Sequence, residues 1–557
     1  MMDLSSGVRI LDAAGRPMPS AASYKAANPI SRELGNWQPQ LTSADRAMLP
    51  EKARAEGRAR DLVRNNGYAR GAVQNQKDRV VGARYRLQLQ PIYKMLGIDP
   101  KDAAAWASDV ELRFHAWADD PDCWIDAQRK RTFSQFVREA VATEMVQGES
   151  ITVRQWRPSP VGYSTCFSTV EPERISTPGE YGVGLMQNRE VILPSGNRIR
   201  AGIELDAWGA AVACYVRTKH PNDFGSMQGS TLGTWDRVAI RNEFGWLQVM
   251  HLFEPEQADQ TRGFSAMAST LQKLKMMDMQ EDLELQLSQL STAFAMYIKT
   301  PMGRQRAQEI MGAESAEASQ QFMSMCMQAQ DAYYGNSGIN INGVKLPVLY
   351  PDDEIAVLQP HNQAANHEQF KEGLMRQNAR GWGMSFEEAS GDFSKTSYSS
   401  ARAAMQMAWQ YVLAKRASVT DKLATHIFRL WFDEGIVRGS VPLPKGVTYW
   451  PDNSVSMGQK FASLTSCSWI GAGKIVIDEF KQAKANETML GTNQATLADI
   501  LAENGTDLEA LLDSHVRTRQ MMDERGLPLP EYLGGLPRGT VDPALAAQDN
   551  AAAAAQD

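Results

Sequence analysis

The chain of 557 residues reads as α+β and predominantly helical, and three features carry that reading. Thr261-Arg262-Gly263-Phe264-Ser265 opens a run with no further Gly or Pro until Pro301, and Ala401 to Glu434 is a second run of this kind. Between Gly148 and about residue 253, by contrast, short β-favouring stretches alternate with Gly, Pro and Asn. A mixed domain is therefore followed by two long helices.

In chain order, the first fifty residues carry Pro17, Pro19, Pro29, Pro39 and Pro50 among Ala and Ser, the composition of an extended arm that orders only when docked. A helix is expected from Glu51 to Asn65-Asn66-Gly67, and a second up to Val81-Gly82. A strand follows in which Tyr85, Leu87 and Leu89 alternate with Arg84, Arg86 and Gln88. Residues 101 to 147 look helical through Trp106, Val110, Phe114 and Trp117, then Phe133, Phe136, Val137, Val141 and Met145. Ile151-Thr152-Val153, Ala211 to Val216 and Trp246 to Met250 are the clearest strands.

In the first long run, Met276, Met279, Leu283, Leu287, Leu290 and Phe294 recur at helical spacing, an apolar stripe along a rod of ~50 Å at ~1.5 Å per residue. Residues 302 to 334 form a further Met-rich helical piece, and Ile339 to Lys345 with Val348 to Pro351 form a small hairpin-like unit. A helix from about Ala364 to Arg380 leads into a Gly- and Ser-rich loop at 381 to 398. The second long run then begins behind Ser399-Ser400 as N-caps, with Met405, Trp409, Val412, Val419, Leu423, Ile427 and Leu430 on one stripe. Helices are expected near 457–466, 474–487, 494–504 and 506–524, before an alanine-rich tail from Ala544.

Composition narrows the function. No apolar run approaches the ~18 residues of a membrane span, and Met1 to Ile10 lacks a signal pattern, so a cytoplasmic protein without membrane partners is expected. Cys123, Cys166, Cys214, Cys326 and Cys467 have no paired spacing, which speaks for buried thiols and against a disulfide framework or zinc. Charge is uneven: residues 51 to 90 hold ten Lys or Arg against four acids, whereas 491 to 557 hold four Arg against eleven. The net charge of −7 argues against gripping nucleic acid by broad phosphate neutralisation.

Motif searches give no enzyme. Gly471-Ala472-Gly473-Lys474-Ile475 lacks the upstream Gly and the hydroxyl of a phosphate loop and reads as a helix start. Asp352-Asp353-Glu354, with His361 and His367 as the near histidines, reads as a surface loop rather than a metal site. Arg54, Arg58, Arg60, Arg64 and Arg70 read as a solvated or salt-bridged helix face, and the methionines at 276, 277, 279, 323, 325 and 327 as adaptable packing. No nucleophile triad has a recognisable context. No cofactor is expected.

A resemblance gathers these pieces. Ala59 to Asn66, Tyr68 to Ala72, Val80-Val81-Gly82, His251-Leu252-Phe253 and Gln260 to Ser265 occur in an order and spacing similar to the lambda-like family of tailed-bacteriophage portal proteins. Gly383 to Glu388, Asp392-Phe393-Ser394, Tyr398 to Arg402, Thr496 to Ile500, Gly505-Thr506-Asp507 and Arg525 to Pro528 extend the resemblance along most of the chain. One departure is Ser466 to Lys474, which stands where the family carries a tryptophan segment followed by Pro-x-Lys-Glu.

The resemblance implies a non-enzymatic, twelve-subunit ring at one capsid vertex, a channel for DNA packaging and ejection. It implies wing regions at 51–262 and 399–450, stem helices at 263–298 and 362–382, a clip at 299–361, a tunnel loop at 383–398, a crown at 451–540 and a disordered tail at 541–557. Implied partners are further copies of the chain, double-stranded DNA held without sequence preference, the terminase large subunit, a head-tail adaptor and the major capsid protein. Its implied location is the virion, with host cytoplasm during assembly. The tunnel-loop candidates for touching DNA are Asp392, Phe393, Ser394, Lys395, Thr396 and Tyr398, with Lys395 the loop's only cation. Met276, Met279, Leu283, Leu287 and Leu290 are the subunit-contact candidates on the stem. Physical reasoning agrees, because a closed ring needs heterologous side-to-side contacts and long striped helices supply them. An acidic lumen would repel phosphates and keep DNA from sticking. The alternatives are a terminase-like packaging ATPase and nuclease, which needs a phosphate loop and clustered acids absent here, and a non-portal capsid or scaffold protein.

Overall fold

A computed structural model describes residues 36–181, 190–221, 234–293, 296–299, 338–341, 344–347, 354–357, 364–449, 456–476 and 478–530, with a few isolated positions besides. The chain divides into two compact units, one of residues 1–55, 148–153 and 169–264 and the other of 56–147, 154–168 and 265–557.

The first unit is built on strands. β4 (Val191–Ile192), β5 (Arg198–Arg200), β6 (Ile203–Leu205), β7 (Ala211–Arg217) and β8 (Trp235–Ala239) form an antiparallel sheet in sequence order. β2 (Ser150–Trp156) is the middle strand of a three-stranded sheet with β3 (Thr165–Val170) and β9 (Val249–Leu252), and it pairs antiparallel with β9, with Ser150 opposite Leu252 and Val153 opposite Val249. Ile151, Val153, Val170, Ile175, Ile203, Cys214, Val216 and Val249 make the core, and β-branched residues dominate it because they pack well on a pleated surface.

Beside that core lies a buried charge knot. Glu149, fully buried, accepts from Arg262 Nε at 2.8 Å and from the backbone N–H of Gly263 at 3.0 Å. Lys52 Nζ stands 3.1 Å from the same carboxylate and donates to Gly263 O at 2.6 Å, and His251 Nε2 lies 2.8 Å from it. Arg262 also donates to Ile175 O, Ala201 O and Pro172 O. Two backbones cross here. A Cβ on Gly263 would sit 2.0 Å from Gly148 O, and one on Gly148, which has φ +86°, would sit 2.1 Å from the carbonyl carbon of Phe264.

The second unit is mostly helical. After α1 (Ala44–Asn65), which continues through Pro50 and belongs to the first unit up to Ala55, come α2 (Gly67–Val80), β1 (Arg86–Leu89), the single turn α3 (Tyr93–Leu96), α4 (Pro100–Ala118) and α5 (Phe133–Gln147). Asn66 caps α2 by accepting from Ala69 N, and Asp99 caps α4 ahead of Pro100, the proline position that suits a first turn. Phe114 sits among Phe133, Phe428, Trp431 and Trp469, with ring centroids 5.3 to 5.9 Å away and steep interplanar angles that favour edge contacts.

The two long runs behave differently. The second is one continuous rod: α9 (Tyr398–Val419), a π-helical turn at Thr420–Ala424 and α10 (Thr425–Arg438). Trp409, Val412, Val419, Leu423, Ile427 and Leu430 are buried along it, as the stripe predicts, though the N-cap is Ser397 rather than Ser399 or Ser400. The first run is shorter than expected. α6 spans Leu271–Ala293, about 35 Å at ~1.5 Å per residue, and Met296–Lys299 is not helix but strand β10, paired antiparallel with β13 (Glu354–Val357). Lack of Gly and Pro permits a helix without compelling one, and the β-favouring Tyr297-Ile298 finds a partner strand instead. β11 (Gly338–Ile341) and β12 (Val344–Pro347) form a hairpin that turns inside the stretch Ile339 to Lys345, a different register from the expected pairing of that stretch with Val348 to Pro351; Val348 to Pro351 and most of 302 to 334 lie outside the described residues.

Further corrections concern the C-terminal part. Cys467–Ile470 is strand β14, paired with β1 from Arg86 opposite Ile470 to Leu89 opposite Cys467, and Trp469 stacks on Tyr85 at 5.3 Å. Gly471 to Lys474 is therefore not a helix start: the next helix, α12, begins at Glu479 behind the N-cap Asp478. The glycines serve close packing, since a Cβ on Gly471 would meet Val80 O at 2.7 Å and one on Gly473 would meet Asn504 O at 2.5 Å. α11 (Met457–Leu464), α13 (Leu497–Glu503) and α14 (Leu508–Glu524) complete the described elements. Cys123, Cys166 and Cys214 are buried free thiols and Cys467 is a half-buried one, whereas Cys326 lies outside the described residues.

Candidate channel loop and stem stripe

α6 turns two apolar faces in opposite directions. Leu271, Leu274 and Met277 are buried with Met375 on α7 (Ala364–Gly381) and with Val73 of α2. The pairing of α6 with α7 is reinforced where Lys371 reaches Glu281 at 2.6 Å and lies over the Tyr68 ring at 5.4 Å. On the other face Met276, Met279 and Leu283 are 60%, 54% and 61% exposed. Of the five stem candidates these three thus project together into solvent. The side chains of Leu287 and Leu290, and all of Phe294, lie outside the described residues.

The loop candidates follow α7. Trp382 is buried and donates from Nε1 to Thr270 Oγ1 at 3.0 Å, and Gly383 at φ +70° passes so close to Tyr411 that a Cβ would meet its ring at 2.6 Å. What reads in sequence as one loop contains a short helix, α8 (Phe386–Ser390). Its capping box is reciprocal: Ser385 Oγ accepts from Glu388 N at 3.2 Å, and Glu388 Oε2 accepts from Ser385 N at 3.0 Å. Glu388 also holds Arg79 at 2.8 Å with both side chains buried, which anchors α8.

Beyond Gly391 the chain turns on Asp392, whose Oδ1 accepts from Ser394 N at 2.9 Å. The hydrogen bonds from Ser394 hold the Asp392 carboxyl below its usual range. Phe393, Ser394 and Lys395 are exposed, Thr396 donates to Glu387 Oε1 at 2.9 Å, and Tyr398 opens α9. Lys395 is occupied. Its ammonium lies 2.5 Å from Glu372 and 3.0 Å from Glu368, both on α7, and these carboxylates push its pKa upward while Lys395 draws that of Glu372 down. The cluster of Lys395 with two acids carries a net negative charge, which the sequence did not disclose because Glu368 and Glu372 lie 27 and 23 residues earlier.

Among the described residues no group of His, Cys, Asp and Glu is arranged to hold a metal, and no helix is long and apolar enough to cross a membrane. The arginine face reads as expected at Arg54, which pairs with Glu51 at 3.1 Å on an exposed surface.

Against known proteins, residues 31–416 match the family described as phage portal protein, lambda family. The portal protein of Escherichia phage N15 is 31% identical over 502 residues, 90% of either chain, and portal protein B of Escherichia phage lambda is 30% identical over the same share. Among solved structures, a chain from the neck of a native GTA particle computed with C12 symmetry aligns at TM-score 0.42 and 10% identity, covering 82% of this chain and 99% of that one. With the family match spanning well over half its length, and two portal relatives aligned nearly end to end, this chain belongs to the lambda family of phage portal proteins.

Proposed function

We propose that copies of this chain, twelve by the family resemblance, close into a ring at one vertex of a viral shell. DNA passes through it during packaging and ejection, and packaging motor, head-tail adaptor and shell protein dock on it. The chain acts by shape and assembly rather than by catalysis. The observation that carries the reading is the exposed stripe of Met276, Met279 and Leu283 on a helix already packed on its other face. Three large apolar side chains in line on a solvated helix are costly to leave uncovered, and a repeated side-to-side contact covers them in every copy at once. The proposed regions are the wing, stem, clip, tunnel loop and crown with the boundaries given above. In the tunnel loop, Lys395 would meet DNA only by exchanging its two carboxylates for a phosphate. That contact is weak and transient, as a conduit requires.

Negative-stain class averages of the purified chain test this. Closed rings with a central opening are expected; a chain that stays monomeric under all assembly conditions overturns it. ATP hydrolysis by the pure chain would restore the motor-enzyme alternative.

A further inference from the structure

We infer that a cavity of the second unit, lined by Arg79, Glu388, Arg402 and Lys474, is a binding site for inorganic phosphate taken up with a proton still on it. Separate elements meet there. Arg79 stands in the last turn of α2, Glu388 on α8, and Lys474 on the stretch between β14 and α12, whose first turn adds Asp478 and Lys481. α9 supplies Arg402, Met405 and Trp409, spaced i, i+3 and i+7 on one helix face. The site is complete within one copy of the chain and does not depend on ring closure.

Charge calls for an anion. Arg79, Arg402, Lys474 and Lys481 face Glu388 and Asp478, four cations against two carboxylates, which leaves a surplus of two positive charges. Most of the negative charge is already engaged. Glu388 Oε2 accepts from Arg79 at 2.8 Å and from Ser385 N at 3.0 Å, while Asp478 caps α12 and pairs with Lys481 at 3.0 Å. The hydrogen bonds from Lys481 hold the Asp478 carboxyl below its usual range, so it stays ionised and committed. Arg402 and Lys474 are left over. Neither side chain has a hydrogen-bond or ion-pair partner among the described residues.

The buried pair selects which anion. Arg79 is only 7% exposed, yet its Nε has no hydrogen-bond partner, and Oε1 of Glu388 has none either. Burial pushes the Arg79 guanidinium below its ordinary range, and Glu388 offsets this only in part. A buried donor and a buried acceptor left unmatched are costly, and a ligand that both accepts and donates removes that cost. Inorganic phosphate near neutral pH is such a ligand, because its oxygens accept and its remaining O–H donates. Sulfate at the same pH has no proton to give, and neither has the phosphodiester of DNA. Size agrees. The cavity holds about 40 Å³, room for roughly three waters at ~10–15 Å³ each, the scale of one tetrahedral anion and well short of a nucleotide. Met405, Trp409 and Ile475 wall it with apolar surface, where a cation attracts an anion with less screening than in water. Gly471 to Lys474 thus lends a lysine to an anion site without being a nucleotide loop, since α12 begins only at Glu479.

Isothermal titration calorimetry of the full chain with sodium phosphate near pH 7, at ionic strength held constant with chloride, tests the site. One phosphate per chain with a Kd of about 1 mM or tighter is expected, with sulfate bound about tenfold or more weakly. The double variant Arg402→Gln, Lys474→Gln should weaken phosphate about tenfold or more at an unchanged melting temperature, whereas Lys484→Gln, Arg517→Gln, which removes two exposed cations elsewhere, should bind as the wild type does. If the double variant melts earlier, Arg402→Gln alone, at an exposed position of α9, is judged by the same tenfold criterion. No saturable heat with the wild type overturns the inference, and so does equal binding by the variant judged. Equal weakening in Lys484→Gln, Arg517→Gln also overturns it, since phosphate would then answer only to overall charge. Sulfate binding as tightly as phosphate overturns it by leaving Glu388 no part in selection. Displacement of phosphate by a blunt, unphosphorylated double-stranded oligonucleotide overturns it too, by making the cavity a contact for DNA.

Discussion

Each unit carries a cluster of opposite charges, one carboxylate among cations at Glu149 and one cation between carboxylates at Lys395, and the two stand in opposite settings. Around Glu149 the charges are buried and every lone pair is directed at a donor; around Lys395 they stand in solvent. Burial makes the first a fixed fastening, because no water replaces a lost partner. Exposure makes the second exchangeable, because water and salt always compete. A fastening suits the point where Gly148 and Gly263 cross, and an exchangeable pair suits a surface that a moving polyanion touches.

The largest effect should therefore come from Glu149→Gln. Arg262 and Lys52 would remain buried without their counter-charge, and a loss of about 3–5 kcal/mol in urea unfolding is expected. Acid should act through the same knot. Burial of His251 lowers its pKa below the ordinary 6.5, so its neutral ring donates from Nε2 to Glu149. The Glu149 carboxyl is held well below its ordinary 4.5: burial itself pushes it up, but Arg262, Lys52 and His251 together prevail. For both groups the unfolded chain binds protons at a higher pH than the folded one. Their stabilisation is complete above pH 6.5 for His251 and 4.5 for Glu149, and it falls as pH drops through the folded values. Unfolding measured from about pH 7 to 3 should show this decline, and Glu149→Gln should flatten its lower limb.

Second in size is Gly148→Ala. The substitution strains a positive φ and places a methyl group 2.1 Å from the Phe264 carbonyl carbon, so about 2–4 kcal/mol should be lost in the same assay. A cost under about 0.5 kcal/mol would mean that the crossing relaxes freely and is no fastening.

How far sequence reaches also differs between the two settings. The long rod from Tyr398 to Arg438 was legible because its stripe is buried within its own unit, and a period of about 3.6 records burial directly. α6 was only half legible. Its stripe of Met276, Met279 and Leu283 was visible, but the face that packs inside the chain is the other one, Leu271, Leu274 and Met277, because adjacent apolar residues in Met276-Met277 serve both sides. β14 was hidden because Cys467-Ser468-Trp469-Ile470 is a four-residue strand whose partner lies far earlier in the chain, at Arg86 to Leu89, and the neighbouring glycines imitate a loop motif. The Glu149 knot left no local trace, since its members stand at 52, 149, 251 and 262. For the loop, position and residue types were legible, whereas the pairing of Lys395 with Glu368 and Glu372 was not.

An assembly measurement extends the contrast to the stem. Met276→Ser, Met279→Ser and Leu283→Ser together remove apolar surface that stands in solvent, so the melting temperature of the isolated chain should hardly move. Sedimentation should nevertheless show rings giving way to monomers. Intact rings would assign subunit contact to some other face, and a collapsed melting curve would show that the stripe packs within the chain.

The smallest expected effect is that of Lys395→Gln, and it is the sharpest on the role of exposure. The ammonium pairs with Glu372 and Glu368 on a solvated surface, so its removal should leave folding and ring images unchanged. It also withdraws from the loop the one cation able to exchange carboxylate for phosphate, leaving Glu368, Glu372 and Asp392 to repel the strand. DNA held by purified rings should then be released at lower salt, and the slope of log affinity against log salt should fall by about 1 for each phosphate that Lys395 no longer neutralises. Lys395→Glu goes further in the same direction but adds a third acid beside α7, so any failure of that variant mixes repulsion within the loop with repulsion of DNA. The glutamine variant separates the two: an unchanged salt slope means that Lys395 belongs wholly to its carboxylates and that the loop guides DNA by shape alone.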